Sequence, residues 1–268
     1  MENKCRLVVK VGTSTLTHEG GKLNFRSFDA LARVLSDIHN QGNDVILVSS
    51  GAIAVGAGKL LLSERPTELR FKQAAAAVGQ CELMHLYDKF FGEYGRTVAQ
   101  ILLTCDDIEL PEKKQNLINT FDTLLEMGII PIVNENDSVS YTEIESEHKL
   151  FGDNDTLSAV VSVLTGADKL VLLSDIAGLY DENPVEHPDA RLIREVRVID
   201  NELRALAGGA GSSRGTGGMI TKLEAAELAT SRGIDMVIAD GQHPELLYDI
   251  VDGGSVGTLF VGRRLKHD

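Results

Sequence analysis

The run 215–222 has the residue types of a phosphate-binding turn. Three glycines, two threonines and one lysine stand directly before a segment that favours a helix. Glycine lets backbone amides approach a ligand closely, and a helix N-terminus favours negative charge. We therefore predict that this turn binds phosphate and that Lys222 reaches into the same site. The chain has no Gly-x-x-x-x-Gly-Lys-Ser/Thr sequence, so the turn is not a Walker A loop.

Five other clusters of polar residues and glycine lie where predicted strands end or where a predicted helix begins. They are 10–14, 49–53, 134–137, 152–156 and 174–175. Taken alone, each cluster also fits an ordinary turn or helix cap. In an open α/β sheet, however, ligands bind beyond the carboxyl ends of the strands. Because all five clusters fall on that edge, together they predict a single site.

The residue types of these clusters narrow the reaction. They are rich in Asp, Asn, Ser, Gly and Lys, and they contain neither histidine nor cysteine. An alcohol that accepts a phosphoryl group usually needs a base, whereas a carboxylate with a pKa of about 4.3 is already ionised at neutral pH. A carboxylate acceptor instead needs cations that offset the repulsion between two anions. Lys10 and Lys222 suit that role, and Asp155 would hold both lysines in place.

The elements that position these residues alternate along the chain. Apolar segments typical of buried parallel strands are 6–11, 44–49, 97–104, 129–134, 169–174, 235–239 and 258–261. Apolar stripes with helical spacing lie between them, and two of these stripes end at Gly42 and Gly128. This alternation predicts an α/β fold, a doubly wound sandwich with a mainly parallel sheet. The segment 138–149 departs from it and is predicted to be a surface hairpin or flap.

Composition excludes several classes of function. The 268 residues carry a formal charge of −14, which argues against a general affinity for nucleic acid. The sequence has no uncharged apolar window of about 18 residues, so we expect no membrane span. The N-terminus lacks the layout of a signal peptide. Cys5, Cys81 and Cys105 are odd in number and far apart, so we interpret them as buried thiols in a reducing cytoplasm.

With these clusters assembled, the chain resembles the amino acid kinase family, and within it the members that phosphorylate glutamate. The segments that carry the resemblance are 7–14, 49–53, 76–80, 131–137, 152–155, 215–222 and 255–260. The glycine-methionine turn is shared across several family members, whereas the Asn-Glu-Asn-Asp and Gly-Asp-Asn-Asp runs are more particular to the glutamate enzymes. The resemblance implies a three-layer α/β/α sandwich of the carbamate kinase type. It also implies a single domain over 1–268, with the amino-acid substrate bound by about 1–165 and the nucleotide by about 166–268.

The resemblance also implies roles for individual residues. Lys10 and Lys222 would contact the transferred phosphate, Asp155 would orient both lysines, and the amides of Gly12 and Gly51 would support the phosphoryl group. The residues implied to bind glutamate are Ser50, Asn134, Asp137 and Asn154, with Asp153 supporting them. Those implied to bind ATP are Lys10, Ser174, Asp175, Thr216, Gly217, Gly218, Met219, Ile220, Thr221 and Lys222.

Further properties follow from the resemblance alone. It implies Mg²⁺ held mainly by ATP phosphates rather than by a protein metal site, and γ-glutamyl phosphate as the first intermediate toward proline. It also implies feedback inhibition by proline, involving the segment 138–149. The resemblance implies a dimer or a tetramer in the cytoplasm. It also implies functional coupling to glutamate-5-phosphate reductase, the enzyme that uses the product. Many bacterial members continue into a C-terminal PUA domain, and we expect that domain to be absent here, which removes any reason to invoke RNA.

Two alternatives stay open on the sequence alone. One is a sibling kinase that acts on aspartate, acetylglutamate, carbamate or UMP. The aspartate and acetylglutamate enzymes usually show a Gly-Gly pair after the first lysine, whereas Val11-Gly12 follows Lys10 here. The other alternative is a catalytically silent protein that binds ATP or an amino acid. The presence of Lys10, Asp155 and Lys222 together argues against it.

Overall fold

One mixed sheet carries the fold. The computed structural model describes residues 4–18, 21–139, 153–208 and 218–263. The strands in these ranges are β1 (Arg6–Val11), β2 (Asp44–Ser49), β3 (Val98–Leu103), β4 (Ile130–Glu135), β5 (Lys169–Ser174), β6 (Glu195–Val196), β7 (Asp235–Asp240) and β8 (Thr258–Phe260). The helices are α1 (Thr13–Leu16), α2 (Phe25–Asn40), α3 (Ala52–Lys59), α4 (Leu69–Glu93), α5 (Cys105–Glu109), α6 (Pro111–Glu126), α7 (Asn154–Thr165), α8 (Asn201–Gly208), α9 (Met219–Ser231) and α10 (Leu246–Val251).

The sheet is doubly wound around β1. The strand order is β3-β4-β2-β1-β5-β7-β8-β6, and β1 pairs in parallel with both β2 and β5. Only the pairing of β7 with β8 is antiparallel among the described ladders. Helices cover both faces of the sheet, so the predicted α/β/α sandwich with a mainly parallel sheet is confirmed. The chain winds toward β3 on one side of β1 and toward β7 on the other, which places a topological switch point between β1 and β5.

Most predicted elements are present with small shifts at their ends. The strand predicted over 97–104 is one residue shorter at each end, and the strand predicted over 129–134 is displaced by one residue. Helices α2 and α6 end shortly before Gly42 and Gly128, as expected. The sequence did not predict β6, because its two residues are too few to show a period. It also showed no apolar stripe with helical spacing for α4, because the alanine-rich surface of this helix contacts several elements.

The alternation of side chains along β1 explains where the polar site lies. Leu7 and Val9 point into the core beneath α2 and α4, whereas Val8 points into the opposite core, which α7 and α9 cover. Side chains alternate between the faces of a strand, so Lys10 shares the face of Val8. The carboxyl end of β1 therefore directs Lys10 toward the N-termini of α7 and α9.

Helices α3 and α4 approach each other unusually closely. A β-carbon built on Gly79 would lie 1.8 Å from the carbonyl oxygen of Ala52, and one built on Gly56 would lie 1.8 Å from that of Ala75. No side chain fits at either position. The two glycines therefore fix α4 against α3, and α3 begins directly after the polar end of β2.

The described residues also show the lengths of the helices and the exposure of the cysteines. No helix there is long and apolar enough to cross a membrane. The three cysteines are free thiols. The prediction that all three are buried is wrong, because Cys81 is exposed on α4 and the other two are partly buried. Cys81 projects from the part of α4 that borders an open cavity rather than from its buried side.

Candidate active site

The carboxyl ends of β1, β2, β4 and β5 bring the predicted clusters to one edge of the sheet. These parallel strands are neighbours in the order β4-β2-β1-β5. Helix α7 begins at the same edge, and α9 packs against it. The site therefore has two halves, one beside β2 and β4 and the other beside β5 and α9. The strand β1 and the start of α7 lie between them.

A buried ion cluster joins these two halves. Lys10 Nζ lies 2.6 Å from Asp155 Oδ1, and Lys222 Nζ lies 3.1 Å from Asp155 Oδ2. The Asp155 side chain is 1% exposed, and the side chains of Lys10 and Lys222 are 12% and 8% exposed. The structure thus brings together residues that are 145 and 67 positions apart in the chain. The cluster carries one more positive than negative charge and lies at the carboxyl edge of the sheet.

The charge state of Asp155 is set by its surroundings. Burial raises the pKa of this carboxyl, but the ammonium groups of Lys10 and Lys222 outweigh burial and lower the pKa below its usual value. Asp155 also lies in the first turn of α7, where the helix dipole favours a negative charge. The carboxylate is therefore ionised at neutral pH and can hold both ammonium groups in fixed positions.

The half of the site beside β2 and β4 is a row of amide and hydroxyl groups. Asn154 Nδ2 lies 2.7 Å from Ser50 Oγ and 3.1 Å from Asn134 Oδ1. Asn134 Nδ2 in turn donates to Gln80 Oε1 at 3.0 Å. Three of the predicted substrate residues, Ser50, Asn134 and Asn154, therefore form one hydrogen-bonded group, although they come from three different elements.

A cavity of about 460 Å³ opens next to this row. Its lining includes Gln80, Met84 and Asp137, together with small side chains of α3 and α4. Burial and the nearby carboxylate of Glu135 raise the pKa of Asp137 to about 6, against a smaller lowering by Arg65. Asp137 is thus placed where the sequence predicts it, and it titrates close to the physiological range.

Asp153 lies next to the site but contacts its own helix. Its Oδ1 accepts from the backbone N–H of Thr156 at 2.9 Å, which caps the start of α7. Its Oδ2 is buried and has no hydrogen-bond partner among the described residues. The cap fixes the first turn of α7, and this turn carries Asn154 and Asp155.

The two predicted glycines follow β1 and β2, and each directly precedes a helix. Gly12 precedes α1, and a β-carbon at this position would lie 3.8 Å from Lys10 Nζ. Gly51 precedes α3 with φ +99°, a left-handed conformation that strongly favours glycine. A β-carbon at Gly51 would lie 3.5 Å from the Thr13 methyl group. Gly12 therefore leaves the backbone next to Lys10 free of a side chain, and Gly51 permits the turn between β2 and α3.

The half of the site beside β5 and α9 is only partly described. Ser174 Oγ donates to Asp175 Oδ1 at 3.1 Å at the end of β5. Gly218 caps α9, Met219 is buried in the core and Ile220 is exposed. Thr221 Oγ1 lies 2.9 Å from the Gly218 carbonyl and 3.3 Å from Asp155 Oδ2, so this hydroxyl reaches the ion cluster. Thr216 and Gly217, Gly152, and residues 140–149 of the predicted flap lie outside the described residues.

Two features of the site were missed by sequence reasoning. Gln80 lies in the segment 76–80 and has no predicted role, although a lone polar residue in an alanine-rich stretch is a signal for a buried hydrogen bond. The contact of Thr221 with Asp155 joins residues that are 66 positions apart. No local pattern of residues could have predicted that contact.

The chain matches known proteins over most of its length. The model of the "Amino acid kinase family" matches residues 6–240. A glutamate 5-kinase from Clostridium perfringens (strain 13 / Type A) is 57% identical over 264 residues, covering 98% of each chain. A glutamate 5-kinase from Listeria innocua is 52% identical and covers 100% of this chain and 98% of its own.

Solved structures with low identity share the fold. Carbamate kinase from Giardia lamblia bound to AMP-PNP aligns with a TM-score of 0.68 at 14% identity, covering 97% of this chain and 99% of its own. The isopentenyl phosphate kinase of T. acidophilum, solved as a product complex, aligns with a TM-score of 0.63 at 18% identity, covering 95% and 99%. At these identities the likeness concerns the fold alone, and it confirms the predicted carbamate kinase type of sandwich.

Proposed function

We propose, from the premise that this chain belongs to the amino acid kinase family, that it transfers the γ-phosphoryl group of ATP to the side-chain carboxylate of L-glutamate. The products are L-glutamyl 5-phosphate and ADP, and the reaction is the first step of proline biosynthesis from glutamate. The observation that carries the proposal is the buried Lys10–Asp155–Lys222 cluster, which an amide row connects to a cavity lined by Gln80 and Asp137. The names of the full-length relatives support glutamate as the acceptor.

Charge neutralisation is the main task of the ion cluster in this mechanism. The attacking carboxylate and the γ-phosphate are both anions, so their approach is opposed by Coulomb repulsion. Two unit charges about 4 Å apart interact by about 4 kcal/mol at an effective dielectric constant near 20. Lys10 and Lys222, held by one carboxylate, place two ammonium groups where the developing charge lies without reorganisation during the reaction. No covalent enzyme intermediate is needed, because the carboxylate is itself the nucleophile.

The amino-acid half positions the acceptor. Asp137 lines the cavity, and Ser50, Asn134 and Asn154 form the hydrogen-bonded row next to it. Together they supply groups that can bind an ammonium and a carboxylate. Asp153 contributes by capping the helix that carries Asn154. The amides of Gly12 and Gly51 support the phosphoryl group as it moves between the substrates.

The nucleotide half binds ATP through Ser174, Asp175 and the turn 216–222. The donor set around the cluster is two lysines and one carboxylate that is already paired, and this set does not make a magnesium cage. Mg²⁺ therefore comes to the site with ATP as part of the substrate complex. We also assign the amino-acid substrate to about 1–165 and the nucleotide to about 166–268.

A panel of acceptors tests the proposal. ADP release is measured with glutamate, aspartate, acetylglutamate, carbamate and UMP as single acceptors, and hydroxylamine traps any acyl phosphate. Glutamate should give both ADP and hydroxamate. A preference for UMP would produce ADP without hydroxamate and would overturn the proposal. Binding of ATP and glutamate without ADP release would indicate a catalytically silent protein.

Four further properties are proposed on the family relationship. The chain forms a homo-oligomer, a dimer or a tetramer, which sedimentation can test. Proline inhibits it by competing at the glutamate cavity, which is tested by the dependence of inhibition on glutamate concentration. It works in the cytoplasm, in keeping with its free thiols, and supplies its unstable product to glutamate-5-phosphate reductase.

A further inference from the structure

Helix α4 contributes one polar side chain to the amino-acid half of the site. Gln80 is 9% exposed, lines the cavity, and uses its Oε1 to accept from Asn134. Its position is firmly fixed. The preceding residue, Gly79, is in backbone contact with α3, and Tyr87, two turns later on α4, has its hydroxyl 2.7 Å from Ser49 Oγ.

The chemistry of the neighbours determines which way each amide in this row points. The Ser49 carbonyl can only accept, so the group of Asn154 that lies 3.1 Å from it must be the NH₂ group. The same nitrogen faces Asn134, which must therefore present its oxygen. The NH₂ group of Asn134 then faces Gln80, whose oxygen accepts. One backbone carbonyl thus orients three side-chain amides in sequence.

The two ends of the row have opposite character. Asn154 Oδ1 is left as an acceptor at one end, and Gln80 Nε2 is left as a donor of two hydrogen bonds at the other. Neither atom has a hydrogen-bond partner elsewhere in the described part of the chain. The α-carbon of an amino acid carries one ammonium donor and one carboxylate acceptor. The row is therefore complementary to an α-amino acid rather than to a simple dicarboxylate.

We propose that Gln80 is a further specificity residue of the site. Its Nε2 donates to the α-carboxylate of the substrate, while its Oε1 holds Asn134 and, through it, Asn154 in the orientation that accepts from the α-ammonium. This inference rests on the proposed function, since it takes glutamate as the substrate. It adds to the site a contact that distinguishes glutamate from the same molecule without its α-carboxylate.

Two variants and two acceptors test this role. Gln80→Met removes both the donor and the acceptor with little change of shape, and Gln80→Glu keeps the acceptor for Asn134 but places a negative charge against the carboxylate. The acceptors are glutamate and 4-aminobutyrate, which lacks the α-carboxylate. Loss of one charge-assisted hydrogen bond should lower the ratio of kcat/KM for glutamate over that for 4-aminobutyrate by about tenfold or more. The loss should lie mainly in the KM for glutamate, and Gln80→Glu should lower the ratio further.

Other outcomes would overturn the inference. Equal losses for both acceptors would mean that Gln80 only supports the fold, and an unchanged KM for glutamate would mean that it makes no contact. Gln115→Met, the same replacement on the exposed face of α6, controls for the chemical change and should behave as the wild type. Failure of the wild type to turn over glutamate would overturn the proposed function and this inference together. Equal losses would overturn only the inference.

Discussion

Replacing Lys222 with methionine should remove half of the cationic charge at the site while leaving the fold intact. Methionine has a similar length and fills the space of the lysine stem, and the Lys222 side chain is only 8% exposed. Asp155 keeps Lys10 at 2.6 Å and the Thr221 hydroxyl at 3.3 Å, so its buried carboxylate stays paired. Folding stability should therefore fall by less than the roughly 3–5 kcal/mol that a wholly unpaired buried charge costs.

Lys222→Met should lower kcat far more than it lowers folding stability. Removal of one preorganised donor aimed at developing charge costs about 100- to 1,000-fold in kcat, equal to about 2.7–4 kcal/mol. We expect a loss of this size for Lys222→Met, with a KM for glutamate within about threefold of the wild type because the amide row is untouched. The assay is coupled ADP release under saturating ATP and glutamate, with thermal unfolding measured in parallel. Lys89→Met, on the exposed side of α4, is the matched control. Near-normal turnover of Lys222→Met would refute the charge-neutralising role.

Three further predictions follow from the site and its supports. Asp155→Asn should lower kcat and also the melting temperature, because two buried ammonium groups lose their shared carboxylate; unchanged values of both would contradict the cluster's role. The pKa of Asp137 is raised to about 6, so the carboxylate is lost as pH falls through that value; the KM for glutamate should rise below about pH 6, and Asp137→Asn should raise it at neutral pH and flatten the profile. Gly79→Ala should push α4 away from α3, because its β-carbon would lie 1.8 Å from a carbonyl oxygen, and should lower both stability and activity. A variant with the stability and activity of the wild type in the same assays would show that the close contact of α3 and α4 is not required.

The sequence predicts the framework well because its strands are buried on both faces. Nearly continuous apolar segments such as Arg6–Val11 and Lys169–Ser174 predict the positions of the strands. Their carboxyl ends then collect the polar clusters at one edge, which is a consequence of topology. The sequence therefore predicts that Lys10, Asp155 and Lys222 lie in one site. The structure adds that one carboxylate binds both lysines through different oxygens.

The interior of the half of the site beside β2 and β4 was much harder to predict. The alanine-rich helix α4 shows no narrow stripe because its alanines, glycines and Gln80 face several neighbours at once. Its approach to α3 depends on a backbone contact at Gly79, which carries no side-chain pattern to detect. The direction of the amide row depends on the Ser49 carbonyl, which is 105 positions away from Asn154 in the chain. Contacts of this kind arise only when the chain is folded.

The central claim is that the side-chain carboxylate of glutamate attacks the γ-phosphate directly. The most direct test uses glutamate labelled with ¹⁸O in that carboxylate, with ATP, Mg²⁺ and hydroxylamine. Hydroxylamine cleaves the acyl phosphate at its carbonyl carbon, so the released phosphate keeps the bridging oxygen of glutamate. We predict phosphate that carries one ¹⁸O atom, formed in step with hydroxamate and ADP. Unlabelled phosphate would mean that water attacks ATP, and it would contradict the account.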